Sequence, residues 1–249
     1  MVKGKSTSTI GRMRAMSRVP WREGKVISVE TRPGLFALGQ MVGASFLAFF
    51  KTFHDSPDWP KVALDDLEVL HIVSVVNQFI SSSNVKYQKH LTPAKIDFPR
   101  VWIAADARAV IRTIWVGSAE EMTIGYMGSR AALIDRGIAA DGRSVSGPKQ
   151  VLTPIIDLQD AETIDSYDLT SMTAYPYQNE RLYLCHLLGR NVDVLKDLIF
   201  RRELPLEYKT FLRHLAIPAS TVAKYKPGSV EIDPLERVPY SELTRNSES

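Results

Sequence analysis

The sequence predicts an α+β fold, with a mostly antiparallel, strongly curved sheet in the N-terminal part and C-terminal helices packed against it. Two observations lead to this prediction. Short segments rich in β-branched and aromatic residues occupy the first part of the chain, and three segments with helical periodicity follow in the last third. Strands that precede helices, without regular alternation between them, are typical of folds whose helices cover one face or end of a sheet.

The N-terminal strands follow from apolar density and from turn signals. Arg32-Pro33-Gly34-Leu35 is a strong turn signal because its Pro-Gly pair interrupts two apolar runs. The density of apolar residues from Phe46 to Phe50 suits a strand that is buried on both faces. The predicted strands are Val26–Val29, Phe36–Val42, Phe46–Phe53, Leu70–Val76 and Val85–Tyr87.

A β-hairpin is predicted farther along the chain. Ala109–Val116 and Glu121–Tyr126 are rich in β-branched residues and flank a short turn that contains Gly117. Two such runs separated by a few residues that include glycine are typical of a hairpin.

Three amphipathic helices are predicted in the last third. The first, Asn179–Leu188, stops before Gly189, a residue type that suits a helix C-terminus. Asn191 can cap the second helix, and Pro205 opens the third. The apolar stripes of the second and third helices consist of Val194, Leu195, Leu198 and Ile199, and of Tyr208, Phe211, Leu212 and Leu215.

The composition is that of an ordinary globular protein. A chain of 249 residues with 45% hydrophobic and 24% charged residues can bury a sizeable core in one large domain or two small ones. The most apolar stretch, Leu35–Phe50, contains glycines and polar residues and falls short of the roughly 18 apolar residues of a membrane span. Cys185 is the only cysteine, which excludes a disulfide scaffold. We therefore expect a cytoplasmic protein.

The formal net charge of +3 is distributed unevenly. Residues 1–22 carry six basic residues and no acidic one, residues 23–216 have a net charge of −2, and residues 217–249 have a net charge of −1. We expect these ranges to be a disordered basic arm, a single α+β domain and a flexible tail. A start of translation at Met13 or Met16 would also account for the arm. Nucleic acid is not expected as a partner, because residues 1–18 contain no aromatic side chain for base stacking.

No catalytic, cofactor or metal site is predicted. His54, Asp55 and Asp58 on a proline-bounded loop could hold a divalent cation, but a solvated loop is the preferred interpretation. Cys185 is next to a histidine on a predicted helix, where neighbouring side chains diverge by about 100°, so we interpret it as a core residue. We also interpret His71, in an alternating strand, as a core histidine.

A pattern of glycines and apolar strands runs through residues 24–100. Gly24 precedes the first strand, Gly34 lies in the turn, Gly39 allows the close approach of backbone or of an aromatic ring, and the apolar strand 47–50 ends in two phenylalanines. This pattern resembles the opening of the immunity protein 26 family, and a weak similarity recurs at residues 179–182. Tyr87 stands near the place where that family has a tryptophan.

The resemblance implies a cytoplasmic protein of bacterial polymorphic toxin systems that blocks a cognate protein toxin by binding it. One alternative is a phosphotriester hydrolase, because the same family is linked to a phosphotriesterase. Another is a structural adaptor in a larger assembly, which a basic arm and a long tail would suit. No membrane partner is expected.

The predicted partner surface is an acidic loop that contains one tryptophan. It consists of Asp55, Asp58, Trp59, Asp65 and Asp66. An exposed Trp59 between prolines could anchor an interface, and the alternative is that its ring packs over the edge of the sheet. A second acidic group, at residues 157–168, is interpreted as a solvated face, with a surface for a basic partner as the alternative.

Overall fold

The computed structural model describes residues 19–43, 45–76, 78–137 and 150–216. Its main sheet is curled and consists of six strands in the order β11-β4-β3-β2-β1-β5, which are β1 (Val26–Arg32), β2 (Leu35–Met41), β3 (Phe46–His54), β4 (Val69–Val75), β5 (Val85–Tyr87) and β11 (Met172–Thr173). Neighbouring strands are antiparallel, except for the pair β11 and β4. The five predicted N-terminal strands are confirmed, with ends shifted by a few residues.

Two glycines shape the centre of this sheet. Gly34 has φ +83° in the turn between β1 and β2, a conformation that residues with a side chain rarely adopt. A Cβ on Gly39 would lie 2.9 Å from Cε1 of Phe49, so the expected close approach of an aromatic ring is confirmed. β2 is buried along its whole length, and so are the first five residues of β3, as the apolar density predicts.

The middle of the chain forms a second sheet and a hairpin. The second sheet has the order β10-β9-β6, and the hairpin joins β7 and β8; these strands are β6 (Val101–Ala105), β7 (Ala109–Ile114), β8 (Met122–Met127), β9 (Ala131–Asp135) and β10 (Gln150–Thr153). The predicted hairpin is confirmed, in an antiparallel register that pairs Ala109 with Met127. β6 and β9 were not predicted. They contain several alanines and pair across some thirty residues of chain.

The three predicted helices are present, although Pro205 precedes a 3₁₀ turn, Leu206–Tyr208, and the third helix begins only after this turn. Two short helices were not predicted. The helices of the described ranges are α1 (Phe79–Ser82), α2 (Ala161–Ser166), α3 (Tyr177–Leu188), α4 (Val194–Ile199) and α5 (Lys209–Ala216). α3 ends at Gly189 with φ +65°, as predicted. The predicted cap of α4 is wrong. Asp193 caps α4 by accepting from Lys196 N, whereas Asn191 Oδ1 accepts from Nη2 of Arg181.

The helices pack against the main sheet through one large apolar cluster. It combines Ile27 of β1, Phe49 of β3, Leu184 of α3, Leu198 of α4 and Leu212 of α5, all of them fully buried. Because strands and C-terminal helices share this cluster, the predicted α+β fold is confirmed.

The predicted arm and tail lie largely outside the described residues, which omit 1–18 and 217–249. Residues 19–22 of the predicted arm are described. There the indole N–H of Trp21 donates to the carbonyl of Gly43 at 2.8 Å, and Val19 packs against the core. No helix in the described ranges is long and apolar enough to cross a membrane.

Candidate functional site

Two of the predicted partner residues, Asp55 and Asp58, are exposed on the loop that follows β3. Asp58 accepts a hydrogen bond from the ammonium of Lys86, and Oδ1 of Asp55 lies 3.5 Å from Nδ1 of His54. Lys86 therefore neutralises part of the predicted acidic surface. The two carboxylates do not converge on one point with His54, whose Nδ1 accepts from the backbone of Ser56 at 3.0 Å. Within the described ranges, no group of three or more His, Cys, Asp and Glu side chains could hold a metal ion.

The other two predicted carboxylates follow in a short 3₁₀ turn, Leu64–Asp66. Asp65 accepts from the backbone N–H of Lys95 at 2.8 Å, and Asp66 is exposed. Asp65 thus joins its loop to the segment after β5, while Asp66 is available at the surface.

Trp59 is a packing residue. Its side chain is only 7% exposed and belongs to a cluster with Phe50, Leu64 and Leu91. The interpretation as an exposed anchor is therefore wrong, and the alternative, a packed ring, is confirmed. Burying this large ring stabilises the position of the acidic loop on the main sheet, because aromatic side chains bury more apolar area than most others.

A large open groove lies in a part of the chain where no motif predicts a site. Its volume is about 870 Å³, toward the upper end of the roughly 300–1,000 Å³ that ligand pockets span. Met127 and Met172 line it and are 55% and 57% exposed. The lining residues lie within 105–106, 123–127, 169–174, 177, 195–199 and 215–216.

A glycine sets the distance between β8 and α4 at this groove. Gly128 has φ +109°, and a Cβ there would lie 3.0 Å from Cβ of Ala105 and 3.1 Å from Cγ1 of Ile199. A side chain at this position would push the end of β8 away from Ile199, which lines the groove.

Three polar side chains of the groove are already engaged in hydrogen bonds. The hydroxyls of Tyr126 and Tyr177 donate to the carbonyls of Leu198 and His214, each at 3.2 Å. The carboxylate of Asp106 accepts from the backbone of Ser129 at 2.7 Å and from its hydroxyl at 2.9 Å. These hydrogen bonds hold the pKa of Asp106 below its ordinary value. The groove is thus suited to binding, and its described lining contains no nucleophile paired with a base.

One family model matches most of the chain. A family model with the description "Domain of unknown function (DUF8309)" matches residues 16–203. The chain belongs to this family. The match covers both sheets and α4 of the DUF8309 domain and ends before α5, so that Leu215 and Ala216 are the groove residues beyond it. Comparison with curated proteins and with solved structures gives no match.

Four consecutive polar residues at the start of α3 are buried in the DUF8309 domain. The amide of Gln178 donates to Nε2 of His71 at 2.9 Å, and that of Asn179 donates to the carbonyl of Glu30. Glu180 accepts two hydrogen bonds from Arg32, at 2.7 and 3.2 Å. The fourth residue, Arg181, forms ion pairs with two carboxylates. These contacts fix α3 on the main sheet, and with it Tyr177 of the groove.

The two candidate reactive residues are core residues. Cys185 is buried, its Sγ accepts from Val192 N at 3.2 Å, and burial raises the pKa of its thiol. His71 is buried beside Phe49, and burial together with the charges of Arg181 and Lys196 holds its pKa well below the ordinary value. Both core interpretations are confirmed.

Sequence reasoning missed the groove because its residues come from separate segments and no pair of them forms a motif. A single signal was present in the sequence. β8 carries no charged residue and no proline, which is unusual for a strand with an exposed edge.

Proposed function

We propose that this DUF8309 protein is a partner-binding protein of the immunity type, which neutralises a cognate protein toxin by occluding it. The groove carries this proposal. It is large and mostly apolar, and Asp106, Tyr126 and Tyr177 in its described lining are already engaged in hydrogen bonds. A concave apolar surface of this kind gains free energy when a partner covers it.

The toxin enters the proposal through the resemblance of residues 24–100 to the immunity protein 26 family. The acidic loop supplies a second surface, since Asp55 and Asp66 are exposed and carry negative charge toward solvent. A protein with separate apolar and acidic surfaces can hold a partner by the first and attract it by the second.

A growth assay tests the proposal. The toxin genes next to this chain's gene are induced in cells that also express the full chain, either as wild type, as Met172→Asp or as Leu206→Asp. Met172 lines the groove and Leu206 does not, while both side chains are 57% exposed, so the two substitutions are matched in exposure. We expect the wild type and Leu206→Asp to restore growth, and Met172→Asp to fail.

Two outcomes would overturn the proposal. One is that the wild-type chain protects against none of the neighbouring toxins. The other is that Met172→Asp protects as well as the wild type, since a charge in the groove must interfere with a partner that is held there.

A further inference from the structure

The backbone of β8 has one edge paired with β7 and one edge free. Gly128 N donates to the carbonyl of Arg108 at 2.8 Å, which makes these two residues a hydrogen-bonded pair. Hydrogen-bonded and non-bonded pairs alternate along an antiparallel ladder, so Thr123, Gly125 and Met127 form non-bonded pairs with β7. Their N–H and C=O groups therefore point away from β7.

The free edge of β8 lies along the groove. The three residues whose backbone points away from β7 all line the groove. In the described part of the chain, β8 pairs with no strand other than β7, and no backbone hydrogen bond from a turn or loop reaches Thr123, Gly125 or Met127. From Thr123 to Met127 this edge is roughly 14 Å long, at about 3.4 Å per residue, which accommodates an extended segment of about five residues.

Segment 169–174 also lines the groove. The carbonyl of Thr173 accepts a hydrogen bond from Val76 N, just after β4, at 3.0 Å. Because the backbone groups of successive strand residues point to opposite sides, those of Met172 point away from β4. Within the described ranges, the outer edge of β7 also pairs with no other strand, but none of its strand residues lines the groove. The edge of β8 therefore brings three residues with free backbone groups to the apolar surface, and Met172 adds one further residue.

Positive charge lies in two hollows next to the groove. Arg112 and Arg201 line a hollow of about 320 Å³ together with Tyr126 and Ile199, which also line the groove. Arg130 and Arg201 line a second hollow, of about 180 Å³, again with Ile199. Across the described ranges, none of these arginines forms an ion pair with a carboxylate.

One detail supports a binding role for Arg112. Among the described residues, its Nη1 is buried without a hydrogen-bond partner. A buried cationic donor gains most from an anionic acceptor, because a hydrogen bond between charged groups is stronger than one between neutral groups.

We propose that the groove binds an extended, acidic segment of the partner protein, which adds a strand to the free edge of β8. The main chain of that segment pairs with Thr123, Gly125 and Met127, its apolar side chains contact the groove, and its carboxylates face Arg112, Arg130 and Arg201. Strand addition gives affinity through the main chain and selectivity through alternate side chains and charge. The inference rests on the proposed function only in that the partner is a protein.

Two labelled peptides and the full chain test this inference. One is a blocked eight-residue peptide of alternating valine and glutamate, and the other has lysine in place of glutamate. We expect the acidic peptide to bind at least tenfold more tightly at low salt, as measured by fluorescence anisotropy. In hydrogen exchange, the amides of Thr123, Gly125 and Met127 should exchange quickly in the free chain and slowly with the acidic peptide.

Gly125 offers a matched pair of variants. Gly125→Pro removes the N–H that points into the groove and leaves the ladder to β7 intact, while Gly125→Ala keeps that N–H. A Cβ has room at this position, since it would meet only the carbonyl of Val110, at 4.0 Å. We expect Gly125→Pro to weaken binding of the acidic peptide at least tenfold and Gly125→Ala to change it less than threefold, with thermal unfolding of both close to that of the wild type.

Several results would overturn the inference. In the binding assay, these are equal affinity for the two peptides or binding of neither peptide. In hydrogen exchange, one is protection of the amides of β7 in place of those of β8. The other is slow exchange of the amides of Thr123, Gly125 and Met127 in the free chain, because another part of the chain covers the edge. If the toxin binds Gly125→Pro and Gly125→Ala equally well, strand addition is wrong and the proposed function stands. If the acidic peptide binds as expected and no neighbouring toxin is neutralised, the proposed function fails alone.

Discussion

Nη1 of Arg181 lies 3.2 Å from the carboxylate of Asp193, and both side chains are less than one-tenth exposed. A second carboxylate, that of Asp168, lies 3.3 Å from Nη2 of the same guanidinium and also accepts from Ile72 N in β4. One buried arginine of α3 therefore connects the cap of α4 with the main sheet. Arg181 is the charge on which the position of the helices depends.

Replacing Arg181 should strongly destabilise the domain. Arg181→Met leaves Asp193 and Asp168 without their cation, and breaking a buried ion pair by removing one partner costs roughly 3–5 kcal/mol. Urea unfolding followed by circular dichroism measures this loss. Arg190→Met is the control, because Arg190 is exposed. Equal free energies of unfolding for the two variants would contradict the central role of Arg181.

Stability should fall as the pH is lowered from 7.5 to 5, in part because of His214. Burial and the charge of Arg32 lower the pKa of His214 to about 4, whereas the unfolded value is about 6.5. The unfolded chain therefore binds more protons between these values, and the contribution of neutral His214 is lost as the pH falls below 6.5. Linkage gives a loss of about 2 kcal/mol at pH 5.

His214→Leu tests this assignment. Among the described residues, Nδ1 of His214 has no hydrogen-bond partner, so an apolar replacement breaks no hydrogen bond at this nitrogen. We expect the stability of the variant to depend less on pH between 7.5 and 5 than that of the wild type. His71 contributes to the remaining slope, since its pKa is also lowered. Identical slopes for variant and wild type would count against a neutral, buried His214.

A methyl group at Gly39 should overpack the sheet. The added Cβ would lie 2.9 Å from the ring of Phe49, between β2 and β3. Overpacking of this kind costs typically 1–3 kcal/mol. Gly125→Ala is the control, because a Cβ there has room. Thermal unfolding should separate the two variants, and a Gly39→Ala variant as stable as the control would contradict the tight contact.

The acidic loop should affect the rate of association with the toxin more than the stability of the complex. Asp55→Asn combined with Asp66→Asn removes two exposed charges. If the toxin surface is basic, the association rate at low salt should fall several-fold, and the difference should disappear at high salt. Stopped-flow measurements at two salt concentrations check this. Unchanged rates at low salt would remove the acidic loop from the partner surface.

Local patterns predicted most of the fold, while the groove was not predicted. The turn at Gly34, the hairpin of β7 and β8, and the end of α3 at Gly189 depend on neighbouring residues, and all are confirmed. Asn191 was predicted to cap α4, but its side chain accepts a hydrogen bond from Arg181, ten residues earlier in the chain, and Asp193 forms the cap. Contacts of that kind depend on the whole fold.

Contacts between distant segments also explain why the position of Trp59 and the groove could not be predicted. The position of Trp59 was open between exposure and packing, because burial depends on Leu91 and Phe50 in other segments. The groove joins the edge of β8 to residues near Met172 and Leu215, and only the folded chain brings them together. Its one sequence signal was the absence of charge in β8.

The most direct test of the account is the dissociation constant of the complex between the full chain and the neutralised toxin, measured by calorimetry for Met127→Asp and Val151→Asp. Both side chains are 55% exposed, and only Met127 lines the groove. A partner held in the groove predicts that Met127→Asp weakens binding at least tenfold, while Val151→Asp changes it less than threefold. Equal dissociation constants for the two variants and the wild type would contradict a partner-binding groove.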